Sequence, residues 1–380
     1  MKSTARVRGG RPLWLLPPVT AAIMILAACG NSSPSAGPAA GALSEAGQTG
    51  LEQAQAHVTK NSTRPTKINV TTPVSKPVPK GKRLTFISCG SANCNLESDI
   101  IKAATDRLGW TLKTINTDGS PEQVKAAWGQ VVRDKPDGVL YTAVPRSVFE
   151  SELQKATANG TFVAACCTVD PPVNGLGYVI GTPASNAQVG EDLAALVTVQ
   201  SKGTGKAVYI DLPVFPILTA VKTSYEKTLT SFCPGCSTDT IDMPITALGK
   251  DAPDRIVSYL RSHNDVKTVV LSVDTIGIGL QASLKAAGLN DIYVIGEGPD
   301  TTVLQYIKSG LRGPTNAFPY WESMFAMVDA VVRHEVGDPI EKDPVPVNWI
   351  VDKDNMPTAD EIFPLVSDVQ EQYFKLWGVG

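Results

Sequence analysis

Six cysteines stand in three close pairs: Cys89 with Cys94, Cys166 with Cys167, and Cys233 with Cys236. An even count at short spacing is the pattern of disulfides in a chain that leaves the reducing cytosol. A zinc cluster would set two CxxC knuckles round one metal, and only Cys233-Pro234-Gly235-Cys236 has that spacing. A redox CxxC opens a helix after a strand, whereas this one falls in a loop between a helix and a strand. Structural disulfides are therefore expected, and no metal. Cys166-Cys167 has its own chemistry, because adjacent cysteines can close an eight-membered ring that forces an unusual turn and shows a flat, polarizable sulfur surface. Two longer bridges from this loop to Cys89 or Cys94 are the competing arrangement.

Polar side chains at the expected ends of strands are the next candidates: Ser91, Asn93, Arg146, Asp274 and Glu297. Arg146 can meet a carboxylate bidentately, and the two acids can accept from a hydroxyl or an amine. Catalysis finds no local support. The three histidines, His57, His263 and His334, share no motif with a nucleophile, and no HExxH pair or calcium loop is present. Gly203-Thr204-Gly205-Lys206 precedes a strand and lacks phosphate-loop spacing, so it reads as a turn. The chain is read as a non-enzyme with no cofactor.

The elements that must position these groups follow a regular order. From residue 83, short apolar strands at 84–87, 112–115, 138–141 and 161–164 alternate with helices whose apolar residues recur at helical spacing. Ser120, Pro121 and Gln123 make a helix start with a capping box. The alternation begins again with helices near 188–200, 218–229, 256–260 and 276–284, and strands near 207–210, 240–243, 268–273 and 293–295. Continuously apolar strands fit parallel sheets covered on both faces. Two doubly wound α/β lobes are expected, with ligands bound at the carboxyl ends of the strands and enclosed between the lobes.

The N-terminal region sets the compartment. Lys2, Arg6, Arg8 and Arg11 precede an apolar run that ends at Leu26-Ala27-Ala28-Cys29, the form of an export signal. Cys29 after small residues resembles a lipobox, where the new N-terminal cysteine is lipid-modified and anchored to a membrane. Residues 1–28 are thus read as a signal peptide. Residues 29–82, rich in Ser, Pro, Ala, Gly, Thr and Lys, are read as a flexible tether with a possible short helix at 51–57. A net charge of −3 argues against nucleic acid as a partner.

The order of elements over residues 83–355 resembles the type I periplasmic (solute-) binding proteins, the ribose-binding-protein-like group serving ABC importers. The resemblance rests on the lipobox and on local matches: Val179-Ile180-Gly181 with Ser185-Asn186 and Gly190, Ser224-Tyr225 with Cys233–Cys236, Leu271-Ser272-Val273-Asp274, Val294-Ile295-Gly296, and Thr315-Asn316-Ala317. It implies a three-segment hinge near Pro183, Phe318 and Val347. Residues 83–183 plus 319–345 would form the first lobe, and 184–318 plus 346–380 the second. It further implies a monomer that captures a small solute and delivers it to an ABC permease, or presents it to a membrane sensor. The family's sugar readers depart here: the expected polar positions fall on Ala143, Cys166-Cys167, Val221 and Phe318. With Phe215, Tyr320 and Trp321 nearby, the ligand is expected to be less polar than a simple pentose or hexose, although an ordinary sugar stacked on an aromatic stays open.

Overall fold

The computed structural model describes residues 43–88, 93–340 and 345–380, without the side chains of Asn93 and Cys94. The expectations for residues 1–42, including the Cys29 anchor, and those for Cys89, Ser91 and the side chains of Asn93 and Cys94 lie outside these residues.

Two sheets carry the chain. The first joins β1 (Arg83–Ile87), β2 (Thr111–Ile115), β3 (Gly138–Thr142), β4 (Phe162–Cys166) and β5 (Tyr178–Ile180) in the order β2-β1-β3-β4-β5, all parallel. Strands β3, β4 and β5 are buried along their whole length, as continuously apolar runs between two helical layers must be. On one face lie α2 (Asn93–Leu108) and α10 (Tyr320–Val336), and on the other α3 (Pro121–Asp134) and α4 (Glu150–Ala158). Trp128 of α3 stacks on Phe149 with ring centroids 4.4 Å apart. Ser120 caps α3 as the sequence predicts, its side chain accepting from Gln123 N. The return bond differs: the Gln123 side chain accepts from Asp118 N, two residues further out.

The second sheet contains β6 (Thr204–Asp211), β7 (Gly235–Asp242), β8 (Val266–Leu271), β9 (Tyr293–Glu297), β10 (Thr315–Asn316) and β11 (Ile350–Val351). Its order is β11-β10-β9-β8-β6-β7, parallel except for β11. Helices α5 (Pro183–Gln200), α6 (Leu218–Phe232), α7 (Ala252–Ser262), α8 (Leu280–Ala286) and α9 (Thr301–Lys308) cover it. Cys233 and Cys236 are joined by a disulfide between α6 and β7. Three segments pass between the sheets: β5 into α5, β10 into α10, and α10 into β11.

Two boundaries need correcting. The C-terminal residues do not all stay with the second sheet. Trp349, Val351, Met356, Phe363 and Leu365 pack beside α9. Then α11 (Val369–Trp377) returns to the first lobe, where Tyr373 and Trp377 meet Phe325 of α10. The cause is its amphipathic pattern: Val369, Tyr373, Leu376 and Trp377 form one apolar face that needs α10 to cover it.

The tether reading also fails from residue 43 onward. Helix α1 (Glu45–Asn61) is longer than the 51–57 expected and docks on α5 and α6 of the second lobe. The segment after it is held by the other lobe. Ile68 and Val78 are buried in the core under α10 and α11, Val74 N donates to Leu376 O at 2.9 Å, and Arg333 donates to Thr72 O at 2.6 Å. Isolated apolar residues in a Pro- and Thr-rich run look like a linker, but each one here has a distant partner. Docking of α1 depends on Gly50, where an added Cβ would stand 2.1 Å from Phe232 O. Gly50→Val should therefore cost about 1–3 kcal/mol as overpacking does, read as faster hydrogen exchange over residues 45–61 with both sheets still protected. Unchanged exchange there would contradict the packing.

Candidate functional site

A cavity lies where the three inter-sheet segments converge. Gly181, Ser185 and Asn186 line it from the first crossing, Asn316, Phe318 and Pro319 from the second, and Val347 and Asn348 from the third. Cys167 at the end of β4 and Glu297 at the end of β9 complete its walls. It thus sits at the carboxyl ends of parallel strands from both lobes, where this architecture places ligands.

Each wall has a local cause. Cys166 ends β4 as a fully buried residue and is disulfide-bonded to Cys167. Cys167 takes a positive φ of 63° and donates its N–H to Ile180 O at 2.8 Å, which leaves its side chain against Gly181 at the cavity. Glu297 follows the buried pair Val294 and Ile295 and is itself 7% exposed. Burial pushes its carboxyl up to about 8, and the neighbouring Asp274 adds to the shift. In the first lobe, Glu97 on α2 is buried and accepts from Thr142 Oγ1 at 3.1 Å; burial pushes it up to about 7. Of these two carboxyls Glu297 lines the cavity, where a carboxyl that resists ionisation suits a ligand offering hydroxyl groups.

Behind the cavity stands Asp192 of α5, with no exposed surface. Its Oδ1 meets Nε2 of His57 at 2.7 Å and accepts from Asn61 at 2.6 Å; its Oδ2 accepts from Asn316, and from Asn348 at 2.5 Å. Of these residues the sequence marks Asn316 only as part of a strand match, and His57 only as a histidine without a motif. The signal available for Asn348 is its position directly after the expected third crossing. Nothing local marks Asp192, because its partners come from three separate stretches of chain.

The predicted residues divide sharply. Glu297, Cys167 and Phe318 line the cavity. Tyr320 is buried against Phe318, with ring centroids 4.5 Å apart, and Trp321 packs on the first-lobe core. Phe215 is half-buried on the second-lobe core. Two expectations are corrected. Asp274 is wholly buried away from the cavity, where it accepts from Arg312 at 2.8 Å and from Thr315 at 2.5 Å. Burial pushes its carboxyl up while Arg312 and Thr315 pull it back. Arg146 lies at the edge of the first lobe, donating to Val173 O at 2.9 Å with Glu150 and Asp170 beside it at 3.5 and 3.6 Å. Its charge is already answered, so it is not held ready for a ligand carboxylate.

Comparison with known proteins fits this architecture. The sequence profile of the periplasmic binding protein domain matches residues 95–337, more than half of the chain. A D-apiose import binding protein of Actinobacillus succinogenes is 24% identical over 232 residues, 60% of this chain and 72% of that protein. Among solved structures, a glucose-galactose binding protein from Geobacillus stearothermophilus aligns with a TM-score of 0.65 at 17% identity, over 74% of this chain and 100% of its own. A 5-methylthioribose transporter solute-binding protein from Thermotoga lettingae aligns at 0.68 and 13% identity, over 82% of this chain and 100% of its own. Two parallel-sheet lobes, a cavity at the crossings and a matching profile lead to one assignment: the chain belongs to the type I periplasmic binding protein family.

Proposed function

We propose that this protein is an exported, lipid-anchored binding protein that closes its two lobes on a sugar-like ligand and delivers it to an ABC permease. The observation that carries this reading is Glu297, a carboxyl buried at the junction of the crossings, lining the cavity beside Asn316. A buried polar group needs a partner, and a sugar hydroxyl supplies one. Cys167 and Phe318 offer a softer, apolar wall, which suits a ligand with one face poorer in hydroxyls than a hexose. The relatives named for D-apiose, glucose-galactose and 5-methylthioribose support the sugar class. Anchoring through Cys29 would keep the capture step close to the permease.

A thermal-shift panel of D-apiose, D-arabinose, D-allose, D-tagatose, allitol and 5-methylthioribose tests the proposal. A ligand at about 100 times its Kd adds about 2.7 kcal/mol. In a protein of this size that raises Tm by roughly 3–4 °C. No member raising Tm beyond about 1 °C would sink the sugar reading.

A further inference from the structure

We propose that His57 and Asn61 are positioning residues of the binding cleft, acting through Asp192 to fix which edge of the Asn316 amide meets the ligand. The proposal rests on the reading of this cavity as the ligand site. Both residues belong to α1, which lies outside the stretch matched by the family profile. The helix reaches the cleft from behind, through Asp192.

Hydrogen-bond counting supplies the argument. His57 Nε2 stands 2.7 Å from Asp192 Oδ1, and in the tautomer that donates there it binds that oxygen. Asn61 donates to the same oxygen. Oδ2 is then left for the amides of Asn316 and Asn348. Asn316 has two amide hydrogens: one goes to Asp192, and the other meets Asn348 Oδ1 at 2.6 Å. With both spent, the carbonyl Oδ1 of Asn316 is the atom left for the cavity, beside Glu297. An amide carbonyl there selects a ligand group that donates, such as a hydroxyl. An Asp192 free to rotate would let the Asn316 amide turn over and invert that preference. His57 and Asn61 remove this freedom by occupying the other oxygen.

Protein labelled with 15N-asparagine tests the geometry without any ligand, with Asn316→Ser and Asn348→Ser used to assign the two side-chain amide signals. In the parent both amides should exchange slowly with solvent. In H57A/N61A they should exchange about tenfold faster, the cost of unpairing one buried hydrogen bond. H57Q, which keeps an N–H to donate, should stay near the parent, and H57A alone should show a smaller effect of the same sign if the double variant does not fold. D-apiose and D-allose serve as calorimetric probes: H57A/N61A should bind about tenfold more weakly and H57Q within about threefold of the parent. Amides indifferent to the loss of His57 and Asn61 overturn the proposal, as does unchanged affinity for whichever sugar binds. A parent that binds neither sugar overturns the sugar reading, and the amide exchange then decides this one alone.

Discussion

Asp274→Ala should lower stability by about 3–5 kcal/mol, the usual cost of stranding one partner of a buried ion pair. In a protein of this size the loss corresponds to a fall in Tm of roughly 4–7 °C. The stranded partner would be Arg312, whose side chain is 2% exposed and whose Nε already has no hydrogen-bond partner among the described residues. Nor can the neighbourhood readily rearrange. Gly296 lies under the carboxylate so closely that a Cβ there would stand 2.2 Å from Asp274 Oδ1. A ligand contact behaves in the opposite way: its loss spares the unliganded protein and weakens binding. Asp274→Leu combined with Arg312→Met removes both charges and should recover most of the loss, since an apolar pair can replace a buried ion pair at little cost. Thermal unfolding of the unliganded protein checks all of this, and a single variant within about 1 kcal/mol of the parent would return Asp274 to the list of ligand contacts.

The same pair of acids shows how far the sequence could be read. Asp274 and Glu297 both follow buried strands of the second sheet, and nothing local distinguishes them. Their fates are set by residues far along the chain: Arg312 and Thr315 claim Asp274, while the converging crossings surround Glu297. The sheets are legible because continuous apolar runs such as 138–141 have no other use than a doubly covered strand. The strap at residues 62–82 is not. Its apolar residues are single and spaced by Pro, Thr and Lys, and their partners lie some 300 residues later, as with Ile68 N donating to Gln372 Oε1. Helix α11 escapes for a similar reason: its amphipathic face is readable, but not the lobe that the face will meet. The hinge cluster round Asp192 draws on His57, Asn61, Asn316 and Asn348, and so has no linear signature.

Glu297→Gln should stabilise the unliganded protein at pH 8 and make little difference at pH 5. The sign follows from proton affinity. Buried Glu297 holds its proton up to about pH 8, whereas in the unfolded chain it ionises near 4.5. Between those values the native state binds more protons than the unfolded state, so stability falls as pH rises through the window. Each tenfold difference in proton affinity between the two states is worth about 1.4 kcal/mol, and the gap between variant and parent should grow to a few kcal/mol by pH 8. Glu97 and Glu322, each pushed up to about 7 by burial, tilt both curves alike and cancel in the difference. Urea unfolding of parent and E297Q at pH 5, 6, 7 and 8 measures that difference directly. A gap independent of pH would mean that Glu297 is hydrated in the unliganded protein. A gap that opens as described, and that a bound sugar then narrows, would show the ligand supplying the hydrogen bond which the unliganded cleft withholds.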